Sequence, residues 1–303
     1  MEYQAFLKAV TEFVTAVLPR DYFITVYPVR KNNNYIWDAF VVKGGEFSPA
    51  VYVLPYYEQY KNGVSLSKIQ IEIAKIFQEV CVHPKEQMNT LLHYHYVRSK
   101  IVYRLVNYKS NDKWLKGVPH RLFLDMAIVY YIVIDHPNNE WSSTLVTNQI
   151  QQIWKKTESE LYQIAKRNTP EIFPPVVSRL SALMKQLQKL DQETDFSLTD
   201  YVKGKQSEDR EMYIISNQAN FYGAACICYS NIWDELASQE NTDLAVTTLS
   251  VHELIAVPFQ KYDTWELFRE TAKRTYDTIP IPTERLTASV YRFSKRTGKF
   301  SLI

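Results

Sequence analysis

The chain is short of glycine, short of cysteine and without a long apolar run, and each shortage narrows what it can be. Only 7 glycines and 13 prolines in 303 residues argue against disorder and against a Gly-rich loop that cradles phosphate. Three cysteines, Cys81, Cys226 and Cys228, are too few and too irregularly placed for a disulfide framework, and their odd number fits a reducing compartment. The longest apolar run, Met126 to Ile134, falls far short of a bilayer span and holds two tyrosines. Met1-Glu2-Tyr3-Gln4 lacks the basic and apolar regions of a signal peptide. Together these features lead to the expectation of a cytoplasmic protein with no membrane partner. Charge of one sign is lacking too: 35 basic against 33 acidic residues give a net charge of +2, hence no whole-molecule field toward nucleic acid.

What is present is material for a core. Hydrophobic residues make up 46% of the chain, enough for one large domain or two modest ones. Aromatics reach 14%, led by 22 tyrosines, whose amphipathic rings suit half-buried strand faces.

Periodicity divides the chain into elements. Residues 2–18 carry Phe6, Val10, Phe13, Val14 and Val17 on one helical face. Tyr22 to Val29 and Tyr35 to Val42 read as a hairpin around Lys31-Asn32-Asn33-Asn34, and Ala50 to Leu54 as a third strand. Ser65 to Val80 is an amphipathic helix with Ser65 as N-cap. Ile101 to Val106 and Phe123 to Ile134 are strands, the second returning through the turn at Asp135 to Asn139 into Thr144 to Thr147. Thr157 to Arg167 is a helix opened by a capping box, Pro170, Pro174 and Pro175 break the chain, and Val176 to Leu190 is a further helix. Beyond a polar stretch at 191–210 come strands at 212–216, 244–248 and 253–258, an apolar segment at 221–229, helices at 231–238 and 265–276, and a closing hairpin from Ser289 to Ile303. The expected class is α+β, with mixed, largely antiparallel sheets flanked by helices in one or two lobes. The expected division is an N-terminal region 1–190, a linker-like stretch 191–210 and a C-terminal region 211–303.

Several short motifs run through this order: Ser48-Pro49 with Tyr52, Tyr56-Tyr57-Glu58-Gln59-Tyr60-Lys61-Asn62-Gly63, Tyr103-Arg104-Leu105-Val106-Asn107-Tyr108 with Asn111, and Val118-Pro119-His120 before Phe123-Leu124-Asp125-Met126. Asn148 with Trp154, Glu160-Leu161-Tyr162 with Ala165, Asn168-Thr169-Pro170 and the whole of Met212 to Phe259 complete them. In these the chain resembles, over nearly its full length, a family of uncharacterised bacterial proteins, a domain of unknown function seen mainly in Gram-positive gut bacteria. The resemblance implies no activity, cofactor or catalytic residue. Similar proteins favour a second Ser and an Ile before the His-Glu pair, where this chain has Thr248-Leu249-Ser250-Val251, so a required hydroxyl there falls to Ser250.

The candidate catalytic residues are His252, Glu253, Asp125 and His120. Adjacent His252 and Glu253 could act as acid and base, although neighbours on a strand face opposite ways. The pair is no zinc-protease motif, because Ala256 stands where the second His belongs. Asp125 within an apolar run must find a partner, such as His120, Arg121 or a helix N-terminus, since an isolated buried carboxylate costs several kcal/mol, on the order of 5; the reading favoured is that it caps backbone or fixes a turn. Asn107, Asn217 and Tyr222 are the candidate ligand-binding residues. Cys81-Val82-His83 and His93-Tyr94-His95 match no zinc spacing, and Cys226-Ile227-Cys228 is not a redox pair, so no metal or cofactor is expected. Basic residues from Arg98 to Lys116 interleave with Tyr96, Tyr103, Tyr108 and Trp114, a pattern that holds single strands in other proteins. The balance of charge favours instead a solvated face. The reading favoured is a protein that binds a protein or small-molecule partner without catalysis. The alternatives are a hydrolase built on the His/Glu/Asp cluster and a single-stranded nucleic-acid binder through residues 96–116.

Overall fold

The computed structural model describes residues 1–43, 50–82, 90–135, 141–189, 211–260 and 263–303. They form two compact units, Met1–Val97 and Arg98–Ile303.

In the first unit, helix α1 (Tyr3–Val17) lays Phe6, Val10 and Val14 against strands β1 (Phe23–Arg30) and β2 (Ile36–Lys43) and against helix α3 (Leu66–Val82). The hairpin is antiparallel from Phe23↔Lys43 to Arg30↔Ile36. Its turn uses the asparagines as expected, with Asn33 and Asn34 both at φ 59, a region that Asn tolerates better than most residues. Ser65 caps α3, its hydroxyl accepting from the Lys68 N–H. The strand expected over Ala50 to Leu54 is corrected. Only Val51 and Tyr52 pair, as β3, and the chain turns directly into helix α2 (Val53–Lys61). The β-branched start masked a helix whose Tyr56, Tyr57 and Tyr60 pack on Phe6 and the α1 core.

The second unit is built on two antiparallel sheets. In the smaller, β6 (Met126–Asp135) is central. It pairs along one edge with β4 (Ile101–Asn107) and along the other with β5 (His120–Phe123) and then β7 (Trp141–Leu145). The single strand expected over 123–134 is divided: Phe123 pairs Met126 across a two-residue turn of Leu124, at φ 57, and Asp125. Helix α4 (Asn148–Trp154) went unforeseen. Helix α5 (Glu158–Ile172) has the Thr157/Glu160 capping box and runs past Pro170. Pro170 has no N–H to offer the Lys166 carbonyl, and the helix ends two residues later; the Thr169 hydroxyl donates to the Ala165 carbonyl.

The larger sheet has the order β13-β12-β10-β11-β9-β8. Its outer strand β8 (Pro175–Arg179) corrects the helix expected from Val176. Pro175-Val176-Val177 is β-favouring, and proline is tolerated on an edge strand; the helix, α6 (Leu180–Lys189), begins only afterwards. β8 pairs with β9 (Tyr213–Asn217), so strands on either side of the stretch read as a linker are neighbours in one sheet. Residues 190–210 themselves lie outside the described residues, as do 136–140 of the expected turn and His83. A 3-10 segment (Gly223–Cys228) leads to helix α7 (Ser230–Glu240), then β10 (Leu244–Thr248), β11 (Leu254–Pro258), helix α8 (Trp265–Thr278), β12 (Val290–Ser294) and β13 (Lys299–Leu302).

Candidate functional site

Strand β4 is buried along almost its whole length, yet at its middle it carries Arg104, which is 4% exposed. Register places Arg104 beside Val129 of β6, and alternation puts Tyr131 and Val133 on the same face, with Ser143 of β7 opposite Val133. The guanidinium donates from Nη2 to Ser143 Oγ at 2.7 Å. Its Cζ lies 4.1, 4.5 and 3.9 Å from the ring centroids of Tyr131, Phe221 and Tyr222. Nε is buried with no acceptor, and no carboxylate among the described residues meets this cation. Burial lowers its pKa, against which the Tyr222 and Tyr131 phenols work.

Tyr222 arrives from the turn after β9. Asn217 shapes that turn: its Oδ1 accepts from the Ala219 and Phe221 N–H groups and its Nδ2 donates to the Phe221 carbonyl. Asn220 and Tyr222 sit at φ 49 and 52, a costly region for a tyrosine. From there the Tyr222 N–H donates to Nδ1 of His252 at 3.2 Å, and the rings stand 5.2 Å apart. Gly223 follows because nothing larger fits. A Cβ there would lie 2.3 Å from Ser216 Oγ and 2.4 Å from the His252 carbonyl, the two atoms that hydrogen-bond to one another.

His252 and Glu253 lie in the loop between β10 and β11, not on a strand. His252 Nε2 stands 3.9 Å from Glu284 Oε1. Burial lowers the imidazole pKa, Glu284 and the Asn220 backbone oppose that, and Arg104 adds to it. With Nδ1 accepting from Tyr222, the neutral tautomer carries its proton on Nε2. The Glu253 carboxyl makes no hydrogen bond or ion pair among the described residues, and burial raises its pKa. His252, Tyr222 and Asn217 therefore come together, joined by Arg104 and Glu284.

The other candidates stand apart from this group. Asp125 accepts from Thr287 Oγ1 and Ser289 Oγ at 2.8 Å and from the Tyr291 hydroxyl at 2.5 Å. Its partners are thus three hydroxyls at alternate positions leading into β12, instead of His120, Arg121 or a helix end. His120 Nδ1 meets the Val118 carbonyl at 3.0 Å, and its ring faces Tyr108 at 6.3 Å. Asn107 is spent locally, its Oδ1 accepting from the Ser110 N–H. Of the basic and aromatic band, Tyr103 and Arg104 are buried while Arg98, Lys100, Lys109, Lys113 and Lys116 are exposed. No metal-binding cluster of His, Cys, Asp and Glu occurs among the described residues, and no described helix is long and apolar enough to cross a membrane.

On the opposite face of the same small sheet a different arginine is fully served. Arg121 of β5 donates from Nε and Nη2 to the two oxygens of Glu158 at 3.1 and 2.9 Å, and the Tyr130 hydroxyl donates to the same carboxylate. Tyr162 lies under the Arg121 guanidinium at 4.1 Å. These bonds hold the Glu158 pKa below its usual range against the opposing effect of burial.

A model of a family of unknown function, DUF5688, matches residues 3–295. The chain belongs to that family. No curated protein and no solved structure matches it. In this DUF5688 chain Arg104 was read from the sequence only as one of a basic band, not as a site residue of its own. The signal was available, since a cation inside Ile101 to Val106 is as anomalous as Asp125 beside its own apolar run. Glu284 and Ser143 gave no such sign, because each meets the site only through tertiary contact.

Proposed function

We propose that this DUF5688 protein binds a partner without transforming it, and that recognition centres on an anionic group received by Arg104. The observation that carries this reading is a guanidinium at 4% exposure with an unmet Nε and no carboxylate partner among the described residues. Burying a cation unpaired is costly, and such groups concentrate at binding sites. Dispersal of the acid–base candidates supports the non-catalytic side: Asp125 and His120 are each occupied away from His252. The setting we infer is the cytoplasm of a Gram-positive gut bacterium, supported by the sequence resemblance and by free Cys226 and Cys228.

The test is Arg104→Met, which keeps length and apolar packing. The folded variant and the wild type are compared in thermal unfolding against acetate, succinate, phosphate and sulfate at matched ionic strength. Stabilisation of the wild type by any of these anions, absent in the variant, supports the reading. Equal responses of the two proteins overturn it.

A further inference from the structure

We infer that the group Arg104 receives is a carboxylate, gripped side-on by its unmet Nε–H and by Nη2–H in place of the Ser143 hydroxyl; this assignment rests on the binding role proposed above. Three arginines of this unit show what that edge meets. Arg121 presents Nε and Nη2 to the two oxygens of Glu158. Arg292 presents Nε and Nη2 to Asp243 Oδ2, the first at 2.7 Å. On Arg104 the corresponding edge holds a single neutral acceptor, Ser143 Oγ on Nη2, and nothing on Nε. Yet Arg104 is the most buried of the three: the Arg121 and Arg292 side chains are 37% and 45% exposed. Among the described residues, the cation with the greatest need of a counter-charge is the one left without it.

Shape selects the class of anion. Three ring centroids lie within 4.5 Å of Cζ, so π surfaces crowd the guanidinium and favour approach in its own plane. A planar carboxylate matches that approach with two parallel bonds. A tetrahedral phosphate or sulfate can make the same two bonds, but its remaining oxygens then project out of the plane, toward the rings. Tyr222, half-buried, is one of the rings against the guanidinium. The carboxylate source is a small organic acid or the free carboxylate of a peptide.

Acetate, succinate, N-acetylglycylglycine, the amide of that peptide, phosphate and sulfate are each titrated into the wild type, Arg104→Met and Arg104→Lys. The expected result is a dose-dependent rise in Tm with the carboxylates alone. That rise is absent in Arg104→Met. In Arg104→Lys, which keeps the charge and loses the fork, affinity drops by roughly ten- to a hundredfold. A response to acetate or succinate without one to the peptide acid assigns small acids; the reverse assigns a peptide carboxylate, provided the amide is silent. Stabilisation by phosphate or sulfate in place of carboxylates overturns the assignment and leaves the binding role standing. No anion response at all removes both. Full retention of carboxylate affinity in Arg104→Lys overturns the side-on geometry.

Discussion

The two faces of the small sheet carry the same chemistry in opposite conditions. On the face under α5, Arg121 is matched by Glu158 in a two-pronged pair that Tyr130 reinforces. On the other face, Arg104 is more deeply buried and is met by aromatic rings, the Tyr131 and Tyr222 phenols among them, and by the Ser143 hydroxyl. The Arg121 pair is made within the chain, while among the described residues Arg104 meets no carboxylate. Register alone separates them: Arg121 lies opposite Ile128, Arg104 opposite Val129, and a step of one residue changes the face.

The harshest way to break the comparison is at Gly223. Gly223→Ala drives a methyl into Ser216 and the His252 carbonyl, both part of the backbone frame, and should destabilise the fold by about 3 kcal/mol or more. Chemical denaturation reads this, and a loss below about 1 kcal/mol would show that the frame behind His252 yields.

Next comes removal of one partner on each face. Glu158→Ala strands Arg121 and the Tyr130 hydroxyl and should cost about 2 kcal/mol, less than a fully buried pair because both side chains keep some exposure. Arg104→Met removes a charge with no counterpart among the described residues, so it should be neutral or stabilising by about 1 kcal/mol. If the two changes cost the same, Arg104 is a structural pin like its neighbour and the contrast fails.

How much of this could be read in advance differs between fold and site. The 3.6-residue face of α1, the Ser65 and Thr157 caps and the Asn turn were legible because each is decided locally. The β8 strand and α2 were not: both follow β-branched or proline-containing sequence whose fate depends on what lies beside it. At the site, the rule that an unpaired charge in a strand needs an explanation was applied to Asp125 and answers there with three hydroxyls at alternate positions. Arg104 met the same condition, but its explanation needed the rings of Phe221 and Tyr222, more than a hundred residues away. His252 and Glu253 were adjacent in sequence, which says nothing of whether they share a partner.

The smallest expected effects are those of pH. Burial depresses the His252 pKa below 6.5, so the folded state prefers the neutral ring. Its contribution is full above pH 6.5 and is lost as pH falls toward and through the folded value. Glu253 is shifted the other way, above 4.5, so its contribution is full below pH 4.5 and is lost as pH rises through the folded value. Glu253→Gln should therefore raise Tm at pH 7 by about 2 °C and change little at pH 4, while His252→Gln should blunt the fall below pH 6.5. Unfolding curves at those pH values check both signs, and a Glu253→Gln gain confined to acid would contradict the burial of that carboxyl.

The hydroxyl cradle around Asp125 has a consequence for the order of assembly. Its donors lie 162, 164 and 166 positions further along the chain. During synthesis the turn at Leu124-Asp125 is made long before its hydroxyl donors exist, so the carboxylate stays hydrated and the hairpin stays loosely docked. Closure over so great a sequence separation is slow. The nascent chain should thus remain open to chaperones and proteases until the β12 segment has left the ribosome.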